Sequence, residues 1–155
     1  MNLHQVLPLA RKLMNEHGVG HLKLELSGTK RALGQCVSRG NVAHTIRLSR
    51  HWMAHIPEEQ VRDTILHEIA HAIAGHKAGH GWQWKAECRR IGANPNRTAD
   101  LPQDMVLGLK EKIANYKAVC TKCDNVYMFY RLTEKWKQGK YICSKCRSPF
   151  KIHMM

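Results

Sequence analysis

The first half of the chain shows two kinds of hydrophobic periodicity. Leu3 to His17 has the spacing of an amphipathic helix, which Gly18 is expected to end. His21 to Ser27 then alternates strictly between polar and apolar residues, as a half-buried strand does. Asn41 to Ser49 is a second strand candidate. These elements predict a small sheet beside a helix.

The segment from Pro57 to Gly75 predicts a buried helix. Pro57 and two glutamates stand at its start and Gly75 at its end, as helix polarity prefers. Its apolar positions are Val61, Ile65, Leu66, Ile69, Ala70, Ala72 and Ile73. Two further helices are expected at Trp82 to Ile91 and at Pro102 to Tyr116, and Trp82 and Trp84 are expected in the core or in a cleft wall.

The last 40 residues read as a small β module. Val126 to Tyr130 and Lys140 to Ile142 look like short strands, with Gln138-Gly139 as the turn of a hairpin. The chain has 155 residues, which allows one compact domain over 1–115 and a short appendage over 116–155. We therefore expect an α+β catalytic domain followed by a ribbon.

The predicted central helix carries the motif His67-Glu68-Ile69-Ala70-His71, and Gly79-His80-Gly81 follows it. On a helix, residues four apart lie about 40° apart around the axis and about 6 Å along it, so His67 and His71 can bind one ion. Three protein ligands plus water is the open arrangement of catalytic zinc. Glu68 is the expected base for that water. The alternative to a metal site is that His67 and His71 are buried in the core and form hydrogen bonds there.

The third ligand is less determined by the sequence. His80 is favoured because its flanking glycines allow the chain to turn back toward the metal. His76 competes with it, and Glu87 is a weaker candidate from the next helix. The metzincin spacing is not met, because positions 74 and 77 are alanine and lysine. Cys36 is a further candidate, since peptide deformylases combine this motif with an upstream cysteine ligand.

A second metal site is predicted by two C-x-x-C knuckles separated by 19 residues. Their members are Cys120, Cys123, Cys143 and Cys146. Four thiolates leave no position for water, so this zinc would be structural and would fold a segment too short to build its own core. Two disulfides are the alternative, disfavoured because the chain shows no apolar secretory leader.

The positive charge of the chain indicates nucleic acid as a binding partner. The formal net charge is +13, and residues 116–155 hold nine Lys or Arg against two acidic residues. Basic and aromatic residues alternate there, as on surfaces that bind phosphates and stack on bases. We expect DNA to bind Lys135, Lys137, Lys140, Lys145 and Arg147, with Lys151, Tyr127, Tyr130, Trp136 and Tyr141 nearby. The alternative is an inert basic module whose aromatic residues only pack the hairpin.

No stretch approaches the about 20 apolar residues of a membrane span, and no repeat or low-complexity tract is present. We expect a soluble protein of a reducing compartment, the cytoplasm, with no membrane partner.

These motifs together resemble the SprT family of metallopeptidases, which includes the Spartan proteases of eukaryotes. The resemblance covers nearly the whole chain and rests on Gly34-Gln35-Cys36, Ile46-Arg47-Leu48-Ser49, Leu66-His67-Glu68-Ile69-Ala70-His71, Gly79-His80-Gly81-Trp82 and the C-terminal zinc ribbon. It implies that His67, His71 and His80 bind the catalytic zinc and that Glu68 is catalytic. It also implies a small zincin-like domain with a three-stranded sheet, and it disfavours the deformylase comparison for Cys36.

The function we predict is that of a zinc metalloendopeptidase of the HExxH type. The best understood relatives cleave proteins crosslinked to DNA, so the resemblance implies a DNA-bound or DNA-crosslinked protein substrate, with the ribbon recruiting nucleic acid. Two other readings stay open. One is a nucleic-acid-binding zinc protein whose histidine site is not catalytic, and the other is a zinc hydrolase of a non-protein substrate.

Overall fold

A computed structural model describes residues 1–99 and 101–155. The chain forms two compact units, Met1–Leu101 and Pro102–Met155. The helix over 103–113 therefore belongs to the second unit, whereas the domain boundary expected after residue 115 places it in the first domain. None of the helices in the described part of the chain combines the length and the apolar character that a membrane crossing requires.

The first unit is a three-stranded sheet packed with helices. Its elements are α1 (Leu3–Glu16), β1 (Lys23–Ser27), β2 (Gly34–Arg39), β3 (Val42–Ser49), α2 (Arg50–Met53), α3 (Glu58–Ala74), a 3-10 turn (His76–Ala78) and α4 (Trp82–Ile91). The strand order is β1-β3-β2, with β1 parallel and β2 antiparallel to β3. The three-stranded α+β architecture implied by the resemblance is confirmed.

The core of this unit lies between α1, α3 and the sheet. Val6, Leu13 and Met14 give α1 its buried face, as its amphipathic spacing predicts. Ile46 and Leu48 of β3 are fully buried, and Val61, Ile65 and Ile69 of α3 are fully buried with them. Helix α3 begins after Pro57 and ends at Gly75, as predicted.

Strand β2 was not predicted. It pairs with β3 in antiparallel register, with Cys36 opposite Ile46, and its register shifts between Val37 and Ser38. Its residues are exposed or half-buried, so it lacks the clean alternation of apolar residues that would mark a strand. Because it lies at the edge of the sheet, β2 has one side free for other contacts.

The second unit contains α5 (Gln103–Ile113), β4 (Tyr116–Cys120), β5 (Val126–Phe129), α6 (Glu134–Lys137) and β6 (Phe150–Met154). Its sheet has the order β5-β4-β6 with antiparallel pairs. The predicted hairpin between 126–130 and 140–142 is wrong, because β5 pairs with β4 and only Ile142 forms a single bridge, to Pro149. The first cysteine knuckle is itself the connection from β4 to β5.

Candidate metal centre and cleft

Helix α3 and the turn after it bring three histidines together. His67 and His71 lie one turn apart on α3. The chain reverses through the 3-10 turn and Gly79, whose φ of +50° is a conformation that glycine adopts easily. The Lys77 backbone N–H donates to the side-chain oxygen of Asn41 at 2.8 Å and so ties this turn to the start of β3. His80 follows directly and faces the two α3 histidines.

The geometry of the three imidazoles fits one metal ion. The Nε2 atom of His80 lies 3.1 Å from Nε2 of His71 and 3.3 Å from Nε2 of His67. A tetrahedral zinc with bonds of about 2.0–2.1 Å places its ligand nitrogens about 3.3 Å apart. The three ligand atoms also lie within 4.8 Å of one another. The structure thus brings together the three predicted ligands, and their binding of zinc remains a prediction.

The competing ligand candidates lie outside the cluster of three histidines, although His76 and Cys36 line the same cleft. Within the described residues, His76 and Cys36 are not members of the three-histidine cluster. Glu87 pairs with Arg90, with a side-chain hydrogen bond of 2.7 Å. Burial and the Glu68 carboxylate raise the pKa of the Cys36 thiol to about 11, so that it is protonated at neutral pH.

Burial prepares the histidines for a metal. Burial lowers the pKa of His67 to about 4, and His80 adds to the effect. Burial also lowers the pKa of His71 to about 4, with further contributions from His67, His80 and His76. The pKa of His80 is lowered by burial and by Arg97. A metal binds neutral imidazole, so His67 and His71 are in the binding-competent form well below pH 7, and the lowered pKa of His80 favours the same neutral form.

Trp84 supports all three imidazoles. It is 0% exposed, and its ring centroid lies 4.7 Å from His67, 5.3 Å from His71 and 4.7 Å from His80. Its Nε1–H donates to the His67 carbonyl at 3.4 Å. The expectation of a core or cleft-wall position is confirmed for Trp84. It is wrong for Trp82, which is 75% exposed, because the buried face of α4 is the helical series Trp84, Cys88 and Ile91.

Glu68 lies between α3 and the edge strand β2. It is 6% exposed, and burial raises its pKa to about 8, an effect partly opposed by the Cys36 backbone N–H, which donates to the carboxylate. A Cβ atom at Gly34 would come within 3.1 Å of the Glu68 Cγ atom. Gly34 and the Cys36 amide therefore define the position of Glu68. From the sequence, Gly34 enters only through the family resemblance and Cys36 also as a candidate metal ligand, and neither is predicted to contact Glu68.

An open cleft of about 690 Å³ gives access to this centre. Its walls are β2 with the loop before it, α3, the 3-10 turn and the loop that follows α4. His67, Glu68, His71 and His80 all line it. Arg31 and Arg97, both exposed, also line it. The centre can therefore be reached by a substrate larger than water.

The four cysteines of the second unit also cluster. Their closest sulfur atoms are 3.3 Å apart between Cys120 and Cys146, and 3.5 Å apart between Cys123 and Cys143. All four Sγ atoms lie within 4.8 Å of one another. A disulfide requires about 2.05 Å, whereas a tetrahedral zinc with bonds of about 2.3 Å separates its sulfurs by about 3.8 Å. The cluster is compatible with one closed zinc site.

Hydrogen bonds favour the thiolate form of Cys143. Burial raises the pKa of Cys143, but hydrogen bonds from the Asn125 side chain and from the backbone N–H groups of Cys146 and Lys145 outweigh it and lower the pKa to about 6. The Asn125 Nδ2 atom lies 3.4 Å from the Cys143 Sγ atom. The backbone N–H of Cys123 likewise donates to Cys120 Sγ at 3.4 Å. Such donors stabilise a coordinating thiolate.

The predicted nucleic-acid residues of the second unit are accessible. Lys135, Lys137, Lys140, Lys145 and Arg147 are exposed, although Lys137 pairs with Glu134 at 2.8 Å. Trp136 instead packs inside the unit: its ring stacks on Phe129 at 4.5 Å and lies 4.4 Å from Tyr141. Tyr127 and Tyr141 keep 47% and 39% of their surface exposed. Trp136 thus serves packing, and the two tyrosines are the aromatic groups open to a partner.

Comparison with known proteins gives a family match and a structural likeness. The model of the SprT-like family matches residues 3–105. A search of curated proteins returned no significant match. The crystal structure of the metallopeptidase zymogen jannalysin of Methanocaldococcus jannaschii is similar over 70% of this chain and 92% of that chain, with a TM-score of 0.46 and 17% identity.

Proposed function

Because this chain belongs to the SprT-like family, we propose that it is a zinc-dependent metalloendopeptidase acting on DNA-bound or DNA-crosslinked proteins. The observation that carries the proposal is the arrangement of His67, His71 and His80 around one metal-sized position, with Glu68 on the same helix and in the same cleft. One zinc in this site and one in the cysteine site is the proposed metal content.

The reaction needs a Lewis acid and a base. His67, His71 and His80 would hold zinc, which would supply Lewis-acid chemistry: it would lower the pKa of water from about 16 toward about 7 and polarise a scissile carbonyl. Glu68 takes the proton of the attacking water and passes it to the leaving amine. The Cys36 amide holds the carboxylate in place during both transfers.

The shape of the cleft favours a peptide over a small non-protein substrate. Strand β2 is an edge strand and lines the cleft next to the histidines. An extended peptide can add to such an edge through its own backbone hydrogen bonds. This supports a protease over the alternative of a zinc hydrolase acting on a non-protein substrate.

The nucleic-acid part of the proposal rests on the second unit and on the family resemblance. The exposed side chains of Lys135, Lys140, Lys145 and Arg147 can neutralise phosphates, and Tyr127 and Tyr141 can stack on bases. We assign to this unit the recruitment of DNA and to the first unit the cleavage of the protein on it.

The test compares the zinc-loaded protein with Glu68→Gln on a DNA-binding protein substrate, with and without single-stranded DNA, by intact mass of the fragments. We expect Glu68→Gln to keep both zinc ions but to lose cleavage, and His71→Ala to lose the histidine-site zinc and activity together. Glu87→Gln is the matched control, because this glutamate pairs with Arg90 away from the cluster, and it should stay active.

Two results would contradict the proposal. An active Glu68→Gln protein would remove the assigned base. No cleavage under any condition, with zinc confirmed at both sites, would favour a nucleic-acid-binding protein or a hydrolase of another substrate. Cleavage that is Glu68-dependent but unaffected by DNA would support the protease and overturn DNA recruitment.

A further inference from the structure

One long segment of the first unit carries positive charge and no acidic residue. Between Leu26 and Pro57 there is no Asp or Glu. The same segment contains five Lys or Arg and three His, namely Lys30, Arg31, Arg39, Arg47, Arg50, His44, His51 and His55. A run of this length without a carboxylate is unusual for an ordinary solvated surface, where both signs are interspersed.

The fold gathers part of this segment into one surface. The Trp52 Nε1–H at the end of α2 donates to the Lys30 carbonyl at 3.1 Å, and the Ser49 N–H donates to the Leu33 carbonyl at 2.9 Å. These bonds fix the β1–β2 loop against the start of α2. We call the resulting surface the rim patch, and it consists of Lys30, Arg31, Arg50, His51 and His55.

Two arginines of the rim patch, Arg31 and Arg50, are accessible and form no ion pair with a carboxylate of the described residues. Arg31, Arg50 and His55 are exposed. Among the ion pairs of the described residues, none involves Arg31 or Arg50, whereas Arg47 pairs with Glu25. The pKa of His51 is lowered, first by burial and then by Lys30, Arg50 and His55, so the local potential is positive.

The rim patch borders the catalytic cleft. Arg31, Ala32 and Leu33 line the cleft directly, and Arg97 lines it from the loop after α4. A ligand held by the patch would therefore lie beside the entrance to the histidine centre. All of these residues belong to the first unit, so the rim patch and the cleft lie within one unit.

We propose that the rim patch is a second nucleic-acid contact, through which the catalytic unit binds the phosphate backbone. Guanidinium groups match phosphate oxygens in geometry and charge, and Arg31 and Arg50 supply two. The charge of the proposed substrates also favours nucleic acid as the ligand of the rim patch. DNA-binding proteins are rich in Lys and Arg and would be repelled by this rim, unless bound nucleic acid supplies the negative charge between them. The inference rests on the proposed function for its purpose, but it concerns binding alone.

The test measures binding of fluorescein-labelled oligothymidylate by anisotropy over a range of salt concentrations, in the full zinc-loaded chain carrying Glu68→Gln. The patch variant adds Arg31→Gln and Arg50→Gln. The matched control adds Lys85→Gln and Arg89→Gln, which remove equal charge from the exposed face of α4. We expect several-fold weaker binding for the patch variant and a salt slope shallower by about 1.4, because each lost phosphate contact on a single strand reduces it by about 0.7.

The control variant should bind like the parent protein. Equal affinity and slope for parent and patch variant would overturn the proposal, and so would an equal loss in the control, since this would reflect net charge alone. Unchanged DNA binding with lost binding to polyglutamate would assign the patch to an acidic protein and also overturn it. Zinc content and melting temperature confirm that each variant is folded. Because Glu68→Gln is present throughout, a failure of the proposed proteolysis leaves this result unaffected.

Discussion

Glu68 is the proposed catalytic base, and its burial lowers the stability of the folded protein when the carboxyl group is ionised. In the metal-free protein its pKa is about 8, against an ordinary value near 4.5, because burial disfavours the carboxylate. Between these two pH values the folded state keeps a proton that the unfolded state releases. The favourable contribution of the neutral carboxyl is therefore present below about pH 4.5 and is lost as the pH rises toward 8.

This pH dependence of stability predicts how Glu68→Gln will behave. The amide cannot ionise, so the metal-free variant should match the wild type in stability near pH 4.5 and exceed it by a few kcal/mol, on the order of 2–4, near pH 8. Urea unfolding followed by helical circular dichroism at both pH values measures the difference. Glu87→Gln should show no such trend, since Glu87 is paired near the surface. A constant gap between Glu68→Gln and the wild type would show that Glu68 stays ionised in the fold.

The two tryptophans of α4 give a second prediction at this scale. Trp84 is fully buried against the three imidazoles, while Trp82 is 75% exposed. Trp84→Ala should cost about 3–5 kcal/mol of stability through the cavity it leaves, and it should weaken zinc binding because the ligands lose their support. Trp82→Ala should change stability by less than about 0.5 kcal/mol. Thermal unfolding and zinc titration test both, and equal effects would contradict the assignment of Trp84 as the support of the site.

At the scale of elements, the close contact between β2 and α3 requires glycine at position 34, because any side chain there would meet α3. An added Cβ at Gly34 would lie 3.1 Å from Glu68 Cγ, 3.2 Å from Thr64 Cγ2 and 3.3 Å from the Arg47 carbonyl oxygen. Gly34→Ala should therefore separate the strand from the helix, cost about 1–3 kcal/mol and lower kcat more than it raises KM, with zinc retained. Steady-state kinetics and zinc analysis measure this.

Gly108 in α5 is the control for the same substitution. An added Cβ there meets no atom within 4 Å, and the residue lies within a helix. Gly108→Ala should stabilise its own unit by about 0.5–1 kcal/mol, since alanine loses less backbone entropy than glycine in a helix. Opposite signs at the two positions are expected, and a neutral Gly34→Ala protein with full kcat would show that β2 does not position Glu68.

The helices could be predicted from the sequence better than the strands. Helices α1, α3 and α4 lie where periodicity and end signals placed them, because each buries one face against the core of its own unit. Strand β2 was missed because an edge strand that lines a cleft has little reason to alternate. The predicted ribbon hairpin is wrong because β5 pairs with β4 across the first cysteine knuckle, a pairing that the apolar pattern of residues 126–130 does not indicate.

The parts of the candidate site that lie close together in sequence could be predicted, whereas contacts with residues far away in sequence could not. His67, His71 and His80 lie within fifteen residues, so their grouping could be predicted from helical spacing and one glycine-flanked turn. The environment of Glu68 could not, because Gly34 and Cys36 reach it from a strand more than thirty residues earlier. Long-range pairing of this kind leaves no trace in local periodicity.

At the scale of the whole molecule, the two candidate metal sites have different tasks. The histidine cluster offers three candidate ligands and opens to a cleft, whereas the cysteine cluster offers four, enough to close a tetrahedral site. The first unit has a core of its own between α1, α3 and the sheet. The second unit buries only a few apolar side chains within its 54 residues, among them Leu109, Ile113 and Ala118. We therefore expect zinc to be a cofactor in the first unit and a condition of folding in the second.

Cys143→Ser tests this division of tasks. Cys143 is 0% exposed in the cysteine cluster, and structural zinc contributes about 10–16 kcal/mol to folding of such segments. The variant should hold one zinc instead of two, lose the sheet of β4, β5 and β6, and bind DNA more weakly, while peptide hydrolysis without DNA persists. Zinc analysis, amide hydrogen exchange and peptide cleavage measure these effects.

Cys88→Ser is the matched control, because Cys88 is equally buried but belongs to neither cluster of candidate metal ligands. It should keep both zinc ions. If Cys143→Ser retained a protected sheet with one zinc, apolar packing rather than metal would fold the second unit.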